Sequence, residues 1–169
     1  MMVLLIAIQV PSGIRAIAGA AFGALPISRA RDFSAFVASR HELQDAIIIA
    51  DPDFLLETLP YYIHNRTYFI REQRFGNVVK FTREALRSID LDDILTTAQA
   101  LRAESGRPII ILLHQKLDLS QPQTYHEGYD WTMSTTPEKV RNFLKSTQYL
   151  AEFAPALGDE SYDVYLLDR

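Results

Sequence analysis

From residue 28 onward the chain alternates between short unbroken apolar runs and stretches in which apolar residues recur every three or four positions. Residues 46–50, "AIIIA", and 108–113, "PIIILL", carry the isoleucine-rich pattern of strands buried on both faces, and "YDVYLL" at 162–167 supplies a last strand. Phe33, Phe36 and Val37 share one helical face and predict a helix over 28–40. A short helix follows over 53–62. A longer one over 90–105 is stopped by Gly106, and another runs over 136–153 with Pro137 in its first turn and Glu138 behind it. "TYFIRE" and "NVVKFT" read as two strands joined through residues 73–76, a spacing suited to a hairpin. Buried strands separated by helices predict an α/β fold: a small open sandwich with a mostly parallel sheet, one β-hairpin and helices on both faces. Residues 114–135 are left as the longest loop, the kind of segment that often carries function.

Residues 1–27, "MMVLLIAIQVPSGIRAIAGAAFGALPI", stand apart because they are apolar or small throughout and hold one charge, Arg15. A spanning helix needs about 20 apolar residues, and Pro11-Ser12-Gly13 with Arg15 divides this run into pieces that are each too short. Three readings follow: the end of a transmembrane helix that begins upstream, a secretory signal or anchor, and a buried amino-terminal strand over residues 3–8. The first explains why the run leads into a proline- and glycine-bearing exit. The division is therefore a membrane-exit or anchor segment, 1–27, and a single α/β domain, 28–169.

Composition narrows the chemistry. The 169 residues are 48% apolar, enough for one core. Cysteine is absent, which removes thiol nucleophiles, thiolate metal sites and disulfides together. A net charge of −4, with no RNP motif, zinc-finger spacing or basic helix, argues against nucleic acid as a partner. Charge is uneven, however. Residues 61–87 hold six Lys and Arg against Glu72 and Glu84, whereas residues 152–168 hold five acids and no base.

Four sets of residues are candidates for function. Asp51-Pro52-Asp53 ends one buried strand, at the carboxyl edge where open α/β sheets bind ligands, and two carboxylates there could hold Mg²⁺ or Mn²⁺. The same triplet also suits a strand-to-helix junction, with Asp51 as N-cap, Pro52 at the first helical position and Asp53 on the helix dipole. His114 ends the second buried strand, and if that strand lies beside the first it stands near Asp51 as a His–carboxylate pair for acid/base work. A satisfied strand-end histidine is the simpler reading. His64, Arg66, Arg71 and Arg74 form a basic set suited to anionic lipid head groups or a phosphorylated carrier, or to charge protection of an edge strand. Tyr125, Tyr129 and Trp131 give the long loop an aromatic surface for a partner, or cap the core. No nucleophile elbow and no metal-type histidine spacing is present, which argues against nucleophilic hydrolysis and leaves Asp51, Asp53 and His114 as the catalytic candidates, with no metal ligand assigned.

The segments "LLIAIQVPSGIRAI", "ADPDFLLETLPYY", "YFIREQRFGNVVKFT", "SGRPIIILLHQKLDL" and "ESYDVYLL" resemble the soluble carboxy-terminal domain of bacterial polytopic membrane proteins of the glycosyltransferase family 39 type, relatives of the dolichyl-phosphate-mannose mannosyltransferases. In that family the catalytic acids lie in loops of the amino-terminal membrane region, which this chain does not match. The resemblance therefore implies a non-catalytic accessory domain, membrane-associated and extracytoplasmic (periplasmic), that assists acceptor or polyprenyl-phosphate carrier handling. The competing expectations are a small α/β enzyme using Asp51, Asp53 and His114, and a protein-interaction module.

Overall fold

The computed structural model describes residue 26, residues 28–156 and residues 160–168. Apart from Pro26, the apolar segment 1–27 thus lies outside the described residues. A six-stranded sheet forms the centre, in the order β3-β2-β1-β5-β9-β8, and a three-stranded sheet, β4-β7-β6, lies against one side of it. The strands are β1 (Ile47–Asp51), β2 (Thr67–Phe69), β3 (Arg74–Phe75), β4 (Ser88–Asp90), β5 (Ile109–Leu113), β6 (Gln123–His126), β7 (Thr132–Thr135), β8 (Gln148–Phe153) and β9 (Tyr162–Leu167). The helices are α1 (Ala30–Ala38), α2 (Leu91–Ser105) and α3 (Pro137–Ser146). The α/β open sandwich is the observed fold, but its main sheet is mixed, with two parallel and three antiparallel pairings in place of the mostly parallel sheet expected. Its parallel part is the central trio β2-β1-β5, and antiparallel strands flank it on both sides.

Strand alternation splits the core into two layers. Ile48, Ala50, Ile110, Leu112 and Val164 face α1, with Phe33, Val37, Leu55, Leu56 and Leu59 packed over them. Ile47, Ile49, Ile109, Ile111 and Leu113 face the opposite way, under Ile94, Leu95 and Ala98 of α2, Val140 and Phe143 of α3, and Ile89 and Met133 of the small sheet. Helices thus cover both faces. The isoleucine runs are buried end to end, which is why they carry no polar alternation.

Helix boundaries follow their capping groups. Asp90 accepts from the backbone N–H groups of Asp92 and Asp93 at 2.8 and 3.0 Å, Asp93 reciprocates to Asp90 N at 2.8 Å, and Gly106 ends α2 in the left-handed region at φ 69°. Lys139 of α3 also pairs with Asp90. Asp90→Ala should therefore cost about 1 kcal/mol or somewhat more, read as a lower urea midpoint at an unchanged m value.

Four local expectations are corrected. The helix predicted over 136–153 stops at Ser146, because the hydroxyls of Ser146 and Thr147 donate to the carbonyls of Asn142 and Phe143, both at 2.8 Å, and Thr147 is extended. Residues 148–153 then pair along β9 as the edge strand β8. The long loop contains β6 and β7, with β7 pairing back to β4. Residues 53–62 form two 3-10 turns, Asp53–Leu56 and Leu59–Tyr61, instead of one helix. The hairpin is shorter than predicted, β2 turning into β3 across residues 70–73, and "NVVKFT" is not a strand. Its amides are held by acids instead: Val79 N donates to Glu57 Oε1, and Phe81 N to Glu72 Oε1, each at 2.9 Å.

Candidate functional site

Asp51 closes β1 with its side chain on the same face as Ile47 and Ile49, and the chain turns at Pro52, after a cis peptide bond, into the 3-10 turn that carries Asp53. Both acids are buried, as is Arg71, at 1% exposure. A buried arginine must place five N–H donors. Here Nε and Nη2 donate to Asp51 Oδ1 at 3.2 and 2.7 Å, Nη1 to the carbonyls of Leu86 and Arg87 at 3.2 and 3.0 Å, and Nη2 to the Thr132 carbonyl at 3.1 Å. All five are used. Asp53 is bound from the main chain, accepting from Ile70 N at Oδ1 (2.9 Å) and from Arg71 N at Oδ2 (3.1 Å). The guanidinium also lies 5.0 Å from the centre of the Trp131 ring, so its face is covered as well as its edge.

Two carboxylates, when both are ionised, outnumber the one guanidinium in a buried site. Burial pushes Asp51 up to about 6, against the opposing pull of Arg71, with Glu127 adding to the rise and His114 reducing it. Asp53 is pushed up to about 7, again mainly by burial, with the Arg71 and Ile70 amides opposing the rise and Asp51 reinforcing it. Asp51 Oδ2 is buried without a protein partner. It is the place in the cluster where a proton would be least hindered by existing bonds.

The arrangement revises the expected roles. Asp51 does not cap the following turn, which has no side-chain cap and begins from Pro52 as its N-cap residue, while Asp53 does lie in its first turn. Arg71 is no surface residue, so the basic set does not converge on a single face. Arg66 is exposed with its guanidinium 3.8 Å from the Phe75 ring centre, Arg74 pairs with Glu72 and donates to the Val78 carbonyl at 2.7 Å, and His64 is exposed beside a shallow cleft near Val37 and Tyr62. Strands β1 and β5 are neighbours as expected, and His114 N donates to the Asp51 carbonyl at 3.1 Å. The imidazole goes elsewhere. Asp51 pairs in register with Leu113, so the next residue turns to the other face, and His114 Nδ1 contacts the Ser161 carbonyl at 2.7 Å.

In the aromatic set, Tyr125 donates to the Lys116 carbonyl at 2.9 Å and packs on the core, while Trp131 is buried beneath Phe81. Tyr125 therefore stands apart from Trp131, whereas Tyr129 joins it, with the two ring centres 6.3 Å apart. Among the described residues no group of three or more His, Cys, Asp or Glu side chains is placed to hold a metal ion. The cation at the Asp51–Asp53 corner is instead the Arg71 guanidinium. Arg71 was visible in the sequence only as a basic residue. The signal for its burial was the need of two carboxylates, at the end of an all-apolar strand, for a counter-charge.

Comparison of the chain with known protein families, with curated proteins and with solved structures finds no match. What the structure itself defines is a class, an α/β open sandwich whose acids at the carboxyl end of β1 are tied down by an internal arginine. No helix among the described residues is long and apolar enough to cross a membrane.

Proposed function

We propose that this chain is a non-catalytic α/β accessory domain of a membrane glycosyltransferase-like protein, resembling the carboxy-terminal domains of the family 39 type. The observation that carries the non-catalytic part is the Arg71 guanidinium, whose five donors are all used inside the fold and which leaves only Asp51 Oδ2 without a partner. It occupies the carboxyl end of β1, where an enzyme of this architecture would keep its acids free for a ligand. The membrane part is supported by the apolar composition of residues 1–27 and by the resemblance of the segments quoted above. In this reading the domain sits on the extracytoplasmic side, next to the membrane portion of its protein, and assists an acceptor or an anionic polyprenyl-phosphate carrier.

Flotation of the full chain with lipid vesicles tests the membrane part. The chain should rise with the vesicles, and Leu5→Arg with Ile8→Arg should leave it at the bottom of the gradient. A wild-type chain that stays at the bottom would remove the membrane reading. For the non-catalytic part, titration with Mn²⁺ and a nucleotide sugar should give no saturable heat. A saturable heat abolished by Asp51→Asn would instead establish the small-enzyme alternative.

A further inference from the structure

Four residues other than glycine have a left-handed backbone among the described residues, and three of them line one cavity: Phe81 (φ 50°), Tyr129 (φ 64°) and Asp130 (φ 59°). Aromatic and bulky residues are rarely held in that region, and such outliers concentrate where a site is built. The cavity, about 230 Å³, is completed by Thr82, Arg87 and Trp131. Phe81 stacks on Trp131 at 5.5 Å and 25°, and Tyr129 leans on Phe81 at 4.2 Å and 35°. Trp131 is only 3% exposed, whereas Phe81 is 39% and Tyr129 65% exposed. The outer two rings therefore present an apolar corner to solvent above a ring fixed from below by Arg71.

From this geometry we infer that the corner binds a neutral pyranose ring of a saccharide. Phe81 and Tyr129 touch each other, with ring centres 4.2 Å apart, so nothing enters between them and a ligand can lie only on their outer side. A pyranose presents a puckered C–H face whose slightly positive hydrogens suit the negative face of an aromatic ring. The polar rim points the same way. Arg87 and Asp130 stand 3.7 Å apart, so an anion meets Asp130 and a cation meets Arg87, while vicinal hydroxyls can donate to one and accept from the other. The Thr82 hydroxyl adds a further donor and acceptor at the rim. The inference is independent of the membrane reading, since it uses only residues 81–131 of the described fold.

Trp131 is the sole tryptophan of the chain and lies directly beneath Phe81, so its fluorescence reads occupancy of this corner. Titration of the full chain with methyl α-D-mannopyranoside and methyl β-D-glucopyranoside should give a saturable change with one or both. Sorbitol, a polyol without a ring face, and inorganic phosphate should give none. Tyr129→Gly removes the ring while easing the left-handed backbone, so it should bind roughly tenfold more weakly with little change in melting temperature. A ring that only caps the core would show the opposite pattern, a lower melting temperature with unchanged binding. Asp130→Asn, at a side chain 94% exposed, changes the rim without touching the core and should also weaken binding severalfold. The inference is overturned if neither glycoside gives a saturable change up to roughly 100 mM, far above a millimolar Kd. It is equally overturned if sorbitol or phosphate alone reproduces the change, or if both variants bind as the wild type does.

Discussion

Arg71→Ala is expected to remove about 3–5 kcal/mol of folding stability, because it leaves a buried carboxylate without its counter-charge and exposes three carbonyls to a cavity. The carbonyls of Leu86, Arg87 and Thr132 lose their donors in the same step, and those residues hold the small sheet against the large one. Equilibrium urea unfolding measures the loss. A double-mutant cycle with Asp51→Asn isolates the ion pair: the double variant should lose less than the sum of the two single changes. Independent, additive losses would show that Arg71 acts through packing on Trp131 and not through Asp51.

The second large effect is on the pH profile. Asp51 and Asp53 have folded-state values raised to about 6 and about 7 from 3.8. Between those limits the folded protein holds protons that the unfolded chain has released, so their contribution to stability is complete below about pH 4 and is lost as pH rises through 6 and 7. Other acids pull the opposite way, Asp118 being held low by its hydrogen bonds with Ser120. The informative quantity is therefore a difference. Urea midpoints of the wild type and Asp53→Asn, followed from pH 4.5 to 8, should converge or cross as pH rises, with the asparagine variant losing less over the interval. Parallel profiles would mean that Asp53 stays ionised in the fold throughout. The two predictions are linked, since protonation relieves an unpaired acid: the loss caused by Arg71→Ala should be smaller at pH 5 than at pH 8.

The parts of the fold that were legible in the sequence are those whose pattern is local. "AIIIA", "PIIILL" and "YDVYLL" admit little other than buried strands, and Asp90, Gly106 and Pro137 mark helix ends by their own backbone chemistry. Where a partner from far along the chain decides the outcome, the pattern misleads. In "QYLAEF" Leu150 and Phe153 keep helical spacing with the residues before them, yet the open edge of β9 makes the segment a strand. β7 is polar and short, and it exists because β4 pairs with it from more than forty residues upstream. The candidate site is hidden for the same reason. In the sequence Asp51 and Asp53 fall in one group and Arg71 in another, because a basic residue after a strand reads as solvent-facing unless the carbonyls that take up its donors are known.

The closed set around Arg71 also constrains how this chain can diverge. Losing the arginine strands an acid, losing Asp51 strands a buried cation, and losing Asp53 frees the amides of Ile70 and Arg71. Each single step should lower stability. Descendants of this sequence are therefore expected to keep the three residues as a heritable unit, or to replace them together by an apolar set of similar volume, while the exposed arginines beside them drift freely.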